Sequence, residues 1–110
     1  MFVYLIVRFP FFVEQFEALN EVNKERVRRI VIQLEANGPL VGKPLGYLFL
    51  REKKFNGNRL YFLFYKEWST VLLVAIGDKK DQTETIQNIK LELAHYRGFV
   101  EQQLKELGVI

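Results

Sequence analysis

Apolar residues recur along this chain in distinct rhythms. The run FVYLIVRF (2–9) is dense in β-branched and aromatic residues and is closed by Pro10, which predicts a strand. Phe12, Phe16 and Leu19 follow at helical spacing, so a short helix is expected, entered through Pro10. Asn23 reads as the N-cap of a second helix with the apolar stripe Val27, Ile30, Val31 and Leu34. The Asn-Gly-Pro at 37–39 stops it, because glycine takes the left-handed cap and proline cannot continue the helix. Together these two form a helical hairpin.

GKPLG (42–46) reads as a loop. Strands are expected at about 47–55 and 58–66, joined by Asn56-Gly57, a dipeptide suited to the two-residue hairpin turn. A third run, STVLLVAI (69–76), has no polar face and predicts a central strand covered on both sides. GDKKD then forms a loop, and Asp81 with Glu84 resembles a capping box opening a long helix. Its stripe is Ile86, Ile89, Leu93, Tyr96, Val100, Leu104 and Leu107. The expected fold is α+β in one domain spanning 1–110: an N-terminal strand, a helical hairpin, a three-stranded antiparallel meander and a C-terminal helix.

A continuous helix over 83–107 would be ~37 Å long at 1.5 Å per residue, nearly the width of a domain this size. Gly98 is the expected weak point. Either the whole stripe is core, or the portion after Gly98 meets a partner helix, from another protein or from a second copy of this chain.

Composition changes the picture in one place. The 110 residues are 49% apolar and carry a net charge of +3, which suits one compact domain. Residues 43–66, however, hold Lys43, Arg51, Lys53, Lys54, Arg59 and Lys66 against Glu52 alone, a local +5 that leaves −2 for the remainder. No cysteine is present, so disulfides and thiolate metal sites are excluded, and one histidine with scattered carboxylates makes no metal-ligand set. No cofactor is implied. The apolar N-terminal run contains Arg8 and Pro10, is too short for a membrane span and lacks a small-residue cleavage site. A soluble, cytoplasmic protein without membrane attachment is expected.

With a two-residue turn, Lys54 lies opposite Arg59, Glu52 opposite Tyr61 and Leu50 opposite Leu63. One face then reads Leu50, Glu52, Lys54, Arg59, Tyr61 and Leu63, and is expected to be outside the core. The other, carrying Phe49, Leu60, Phe62 and Phe64 with Arg51 and Lys53 near the turn, is the expected core face. A three-residue loop would exchange Lys54 for Lys53. Such a charge cluster is either a solvated hairpin end, with weak cross-strand pairs, or a surface for a polyanion.

The order of elements, with KPLGY (43–47), LREKK (50–54), GNRLYFLFY (57–65) and VLLVAIGDKKD (71–81), resembles the RelE/ParE toxin superfamily, including its phage-associated HigB-like members. The resemblance spans essentially the whole chain. It implies a metal-free, ribosome-associated endoribonuclease that cleaves mRNA and is silenced by a small antitoxin. The family's catalytic arginine falls on Arg59, the cation after the last strand on Lys79 or its neighbour Lys80, and the basic residues of the second strand on Lys53 or Lys54. Where the family often has an aromatic residue or histidine, this chain has Thr85.

Such chemistry suits these side chains. A guanidinium is always charged and can grip two phosphate oxygens, which fits Arg59 to a phosphorane. A lysine crowded by other cations gives up its proton more readily, so Lys54 is one candidate base and Glu52 the other. Lys79 is the candidate acid or second clamp; Tyr61 is a candidate to stack on an unpaired base, and Arg51, Lys53, Lys80 and Lys43 to bind RNA. His95-Tyr96 is set aside, because Tyr96 lies on the apolar stripe. The alternatives are a non-catalytic protein of the same fold, a gyrase inhibitor or degenerate toxin, and a nucleic-acid-binding module using the cations only as phosphate contacts.

Overall fold

The computed structural model describes residues 3–110, so the first residue of the expected N-terminal strand lies outside the described residues. Five strands form one sheet in the order β1-β5-β4-β3-β2. These are β1 (Leu5–Arg8), β2 (Lys43–Pro44), β3 (Leu50–Phe55), β4 (Asn58–Tyr65) and β5 (Thr70–Asp78). The helices are α1 (Pro10–Glu17), α2 (Glu21–Asn37), α3 (Gln82–Leu91) and α4 (Leu93–Glu106). The fold is α+β in a single domain: β3, β4 and β5 make the antiparallel meander, and β1 runs parallel to β5 at the sheet edge.

The hairpin has the register that Asn56-Gly57 dictates. Asn56 and Gly57 both take positive φ, 45° and 82°, the backbone of the two-residue turn whose twist matches the strands. Lys54 therefore opposes Arg59, and Glu52 opposes Tyr61. Between β4 and β5 the register shifts at Tyr61/Phe62, a bulge that puts both Val74 and Ala75 against the α3–α4 side. β1 reaches only as far as Leu73 on β5. Beyond it the side chain of Gln15 takes over, donating to the Ile76 carbonyl at 2.6 Å and accepting from its amide at 2.7 Å.

Both faces of the sheet are covered. α1 and α2 pack Phe12, Val27, Ile30 and Leu34 against Leu60, Phe62, Val71 and Leu73. α3 and α4 pack Ile89, Tyr96, Val100 and Leu104 against Leu50, Tyr61, Leu63 and Leu72. The expectation that the second of these faces lies outside the core is therefore corrected: Glu52, Arg59 and Tyr61 are all buried beneath the C-terminal helices. Phe49, expected in the core, is instead exposed, because 47–49 turn back before β3 begins at Leu50.

Lys43 and Pro44, expected in a loop, form the short edge strand β2 against Glu52 and Arg51, and three helix boundaries differ. The N-cap of α2 is Asn20, whose side chain accepts from the Asn23 amide at 2.9 Å. Asn23 instead accepts from the Asn56 side chain at 3.0 Å, tying the hairpin turn to α2. Asp81 makes no side-chain cap; Asp78 accepts from the Asp81 amide instead. The expected single C-terminal helix is two, broken at Glu92 (φ −110°, ψ 17°), while Gly98 sits in mid-helix. The molecule measures 37 × 31 × 24 Å, and the break redirects α4 so that Tyr96, Val100 and Leu104 reach the sheet.

Candidate functional site

The two-residue turn settles which basic side chains share a face. Lys54 stands opposite Arg59, and Arg59 opposite Gly77 on β5, so the ends of three adjacent strands meet in one row. At about 4.8 Å between strands this row is ~10 Å wide. Lys79 and Lys80 lie exposed in the turn that leaves β5, and Lys54 is exposed on β3. Lys53 points to the opposite face, half-buried beside α2.

Inside the row lies a buried charge cluster. The Glu52 side chain is fully buried, with an oxygen 3.2 Å from Arg59 Nε, whose own side chain is 7% exposed. Lys43 on β2, in register with Glu52, brings Nζ to 3.8 Å of the other oxygen. Gln82, the first residue of α3, donates Nε2 to both carboxylate oxygens at 2.9 and 3.2 Å. Arg59 Nε is close enough for an ion pair but makes no hydrogen bond. This pair is an expensive feature: two desolvated charges need every partner they have.

Tyr61 completes the cluster. Its hydroxyl is buried without a hydrogen-bond partner. Burial, then the Glu52 carboxylate, push this phenol up to about 12; Arg59 pulls it back, and Asp78 and Asp81 add to the rise. A phenol so held is a neutral donor at physiological pH. Thr85 lies beside it: the point where a Gly77 Cβ would sit is 3.5 Å from the Tyr61 ring and 3.7 Å from Thr85 Oγ1. The expectation of Tyr61 as an exposed stacking residue is corrected, since α3 covers its ring.

Arg51 is committed elsewhere. Its guanidinium donates to the carbonyls of Val41 (3.0 Å), Gly42 (3.0 Å) and Leu48 (3.3 Å), holding the loop before β3. His95 is exposed, edge-on to Phe9 at 5.9 Å, away from this cluster. Among the described residues no group of three His, Asp or Glu side chains is placed to hold a metal ion. No helix among them is long and apolar enough to cross a membrane.

Sequence reasoning missed Gln82. The signal was present: 82, 86, 89 and 93 continue the helical stripe backwards by one turn, so a polar residue at 82 must face the sheet.

No family model matches the chain, and no curated protein matches it. Solved structures do. A chain of the RelBE2 toxin–antitoxin complex from Mycobacterium tuberculosis superposes with a TM-score of 0.61 and 19% identity, over 70% of this chain and 99% of that one. The E. coli toxin RelE, as a double Arg-to-Ala mutant in the free state, gives 0.66 and 14%, over 79% of this chain and 98% of that one. The same mutant in complex with a peptide of the antitoxin RelB gives 0.64 and 15%, over 76% and 94%. The fold is that of the RelE toxins.

Proposed function

We propose that this protein is the toxin of a toxin–antitoxin pair, a cytoplasmic endoribonuclease that cleaves mRNA on the ribosome without a metal ion. The observation that carries the reading is the row of cations at the ends of β3, β4 and β5, gathered on a RelE-like sheet around Arg59. A small antitoxin is the implied partner, since two of the similar structures contain one.

The reaction uses the row as follows. The ribose 2′-oxygen attacks the adjacent phosphorus while a base removes its proton. The bond from phosphorus to the 5′-oxygen breaks, and that oxygen takes a proton as it leaves, giving a cyclic phosphate and a free 5′-hydroxyl. Arg59 neutralises the phosphorane. Lys54 or Glu52 takes the 2′-proton, and Lys79, with Lys80 beside it, serves as the acid or clamp at the leaving oxygen. Because Arg59 and Glu52 are buried, substrate must displace Gln82 and the first turn of α3 to reach them.

That burial also favours a second reading. Arg59 is already paired with Glu52, and residue 85 is a threonine. A non-catalytic member of the fold, acting by binding a protein such as gyrase or by phosphate contacts alone, would keep this arrangement. Primer extension on mRNA translated in the presence of the protein separates the two. Cleavage within codons, lost at least a hundredfold in Arg59→Lys, is expected, because lysine keeps the charge opposite Glu52 but not the two-pronged grip. Full activity of Arg59→Lys removes Arg59 from the mechanism; DNA damage without RNA cleavage supports the second reading.

A further inference from the structure

The loop between β2 and β3 presents its aromatic residues to solvent. Tyr47 and Phe49 are 44% and 39% exposed, with Leu48 between them at 79%. Their rings stack on each other at 4.9 Å with an interplanar angle of 16°. The loop is not slack: Arg51 donates to the Leu48 carbonyl within it and to Val41 and Gly42 just before β2, and Leu50 bonds back to Leu45 and Tyr47 across it. Two parallel rings are thus fixed in water rather than folded inward.

The electrostatics around them are positive. Lys90 Nζ stands 5.4 Å over the Tyr47 ring, and the stretch 38–51 contains no acidic residue. Beside Phe49 a groove of about 420 Å³, lined by Leu63 and Tyr65, is flanked by Lys66, a cation free of ion pairs among the described residues, and by Arg97. The nearest carboxylate there, Glu67, is engaged by Arg97 at 3.2 Å. Flat apolar faces with cations at their rim are what a single-stranded nucleic acid needs, bases on the rings and phosphates on the cations.

α3 links this loop to the cationic row. Its first residue bonds Glu52 and Lys90 lies over Tyr47, so the two places are ~12 Å apart along the helix at 1.5 Å per residue. We infer that the outer face of the Tyr47–Phe49 stack, with Phe49 backed by Tyr47, is a stacking platform for an unpaired base of the same RNA strand whose phosphates lie on Lys54, Lys79 and Lys80. The inference rests on the proposed RNA-directed function and assigns a second contact region to it. Its chemistry is sequence-tolerant, because every base has a π-face.

Binding of a fluorescein-labelled 2′-O-methyl oligouridylate, which lacks the nucleophile and stays intact, tests it by anisotropy at several salt concentrations. Tyr47→Ala/Phe49→Ala is expected to weaken binding about tenfold or more with an unchanged salt slope, since stacking displaces no counterions. Tyr47→Phe and Leu48→Ala are expected to bind as wild type. Lys79→Ala/Lys80→Ala is expected to weaken binding and flatten the slope. If the lysine variant weakens but the aromatic variant does not, the platform is overturned, and the ring pair is left to a protein partner. Equal loss in Leu48→Ala also overturns it, because the loop then acts through bulk apolar surface. No binding by the wild-type protein defeats the RNA-directed reading itself.

Discussion

At the scale of single residues, the Tyr61 hydroxyl has the most measurable consequence. A buried hydroxyl without a partner costs about 1–3 kcal/mol of desolvation. Tyr61→Phe is therefore expected to raise stability by about 1 kcal/mol at neutral pH, read as a higher denaturant midpoint. The raised phenol also sets an alkaline limb. Below its ordinary value of 10.0 the group is protonated in both states and adds no pH dependence. Between 10.0 and about 12 the unfolded chain loses the proton first, so stability falls as pH rises through that window. Tyr61→Phe should shrink this loss and not abolish it, because burial also raises Tyr65 and Tyr96. An identical alkaline limb in the variant would contradict the assignment. The pairing that surrounds Tyr61 was legible in the sequence, since Asn56-Gly57 and strand alternation determine which side chains share a face. That Gln82 faces a sheet is also in the helical spacing, but that it meets Glu52 is not, because the two lie 30 positions apart and no local pattern pairs them.

At the scale of elements, the C-terminal helices decide between core and partner. The apolar stripe is legible from its spacing, and Tyr96, Val100 and Leu104 are buried on the sheet as part of one cluster. The break at Glu92 was not legible: neither glycine nor proline marks it, whereas Gly98, which does look like a hinge, continues the helix with open space around it. The segment after Gly98 is thus spent on its own domain up to Leu104, and of its large apolar side chains only Leu107, Val109 and Ile110 remain exposed. Leu104→Ala is expected to cost about 2–5 kcal/mol, measured by thermal or denaturant unfolding. Removal of 99–110 should unfold the protein. A truncated chain that melts like the full one would return this segment to the role of a partner surface, for an antitoxin helix or a second copy.

At the scale of the whole molecule, the +5 of residues 43–66 is divided by the fold. Arg51 is bonded to carbonyls, and Arg59 and Lys43 face Glu52. Lys53 lies on the opposite face beside α2, Lys66 stands at the groove beside Phe49, and Lys54 is left at the strand ends, where Lys79 and Lys80 from beyond the segment join it. RNA binding should therefore weaken with salt as roughly three to four phosphate contacts would, a log–log slope of about −2 to −3 at −0.7 per contact for a single strand. A flat dependence between low and physiological salt would mean that the partner is not a polyanion. A count of charges along the sequence shows that positive charge is concentrated there; only the fold shows which cations are already engaged.

The edge strand carries a further consequence, for the order in which this molecule assembles. The hairpin β3–β4 joins residues three to thirteen positions apart and can close as soon as its turn exists. β1 must wait for β5, since Leu5 pairs with Thr70 and Arg8 with Leu73, each 65 positions along the chain. Closing so long a loop costs about 3.7 kcal/mol of chain entropy beyond the constant term, repaid only when both helical layers dock. On a ribosome, β1 would emerge 65 residues before β5, its sheet neighbour among the described residues, and would wait unpaired for it. β1 thus precedes the hairpin in the chain yet joins the sheet after it, and the Glu52–Arg59 cluster is covered only after α3 has left the exit tunnel.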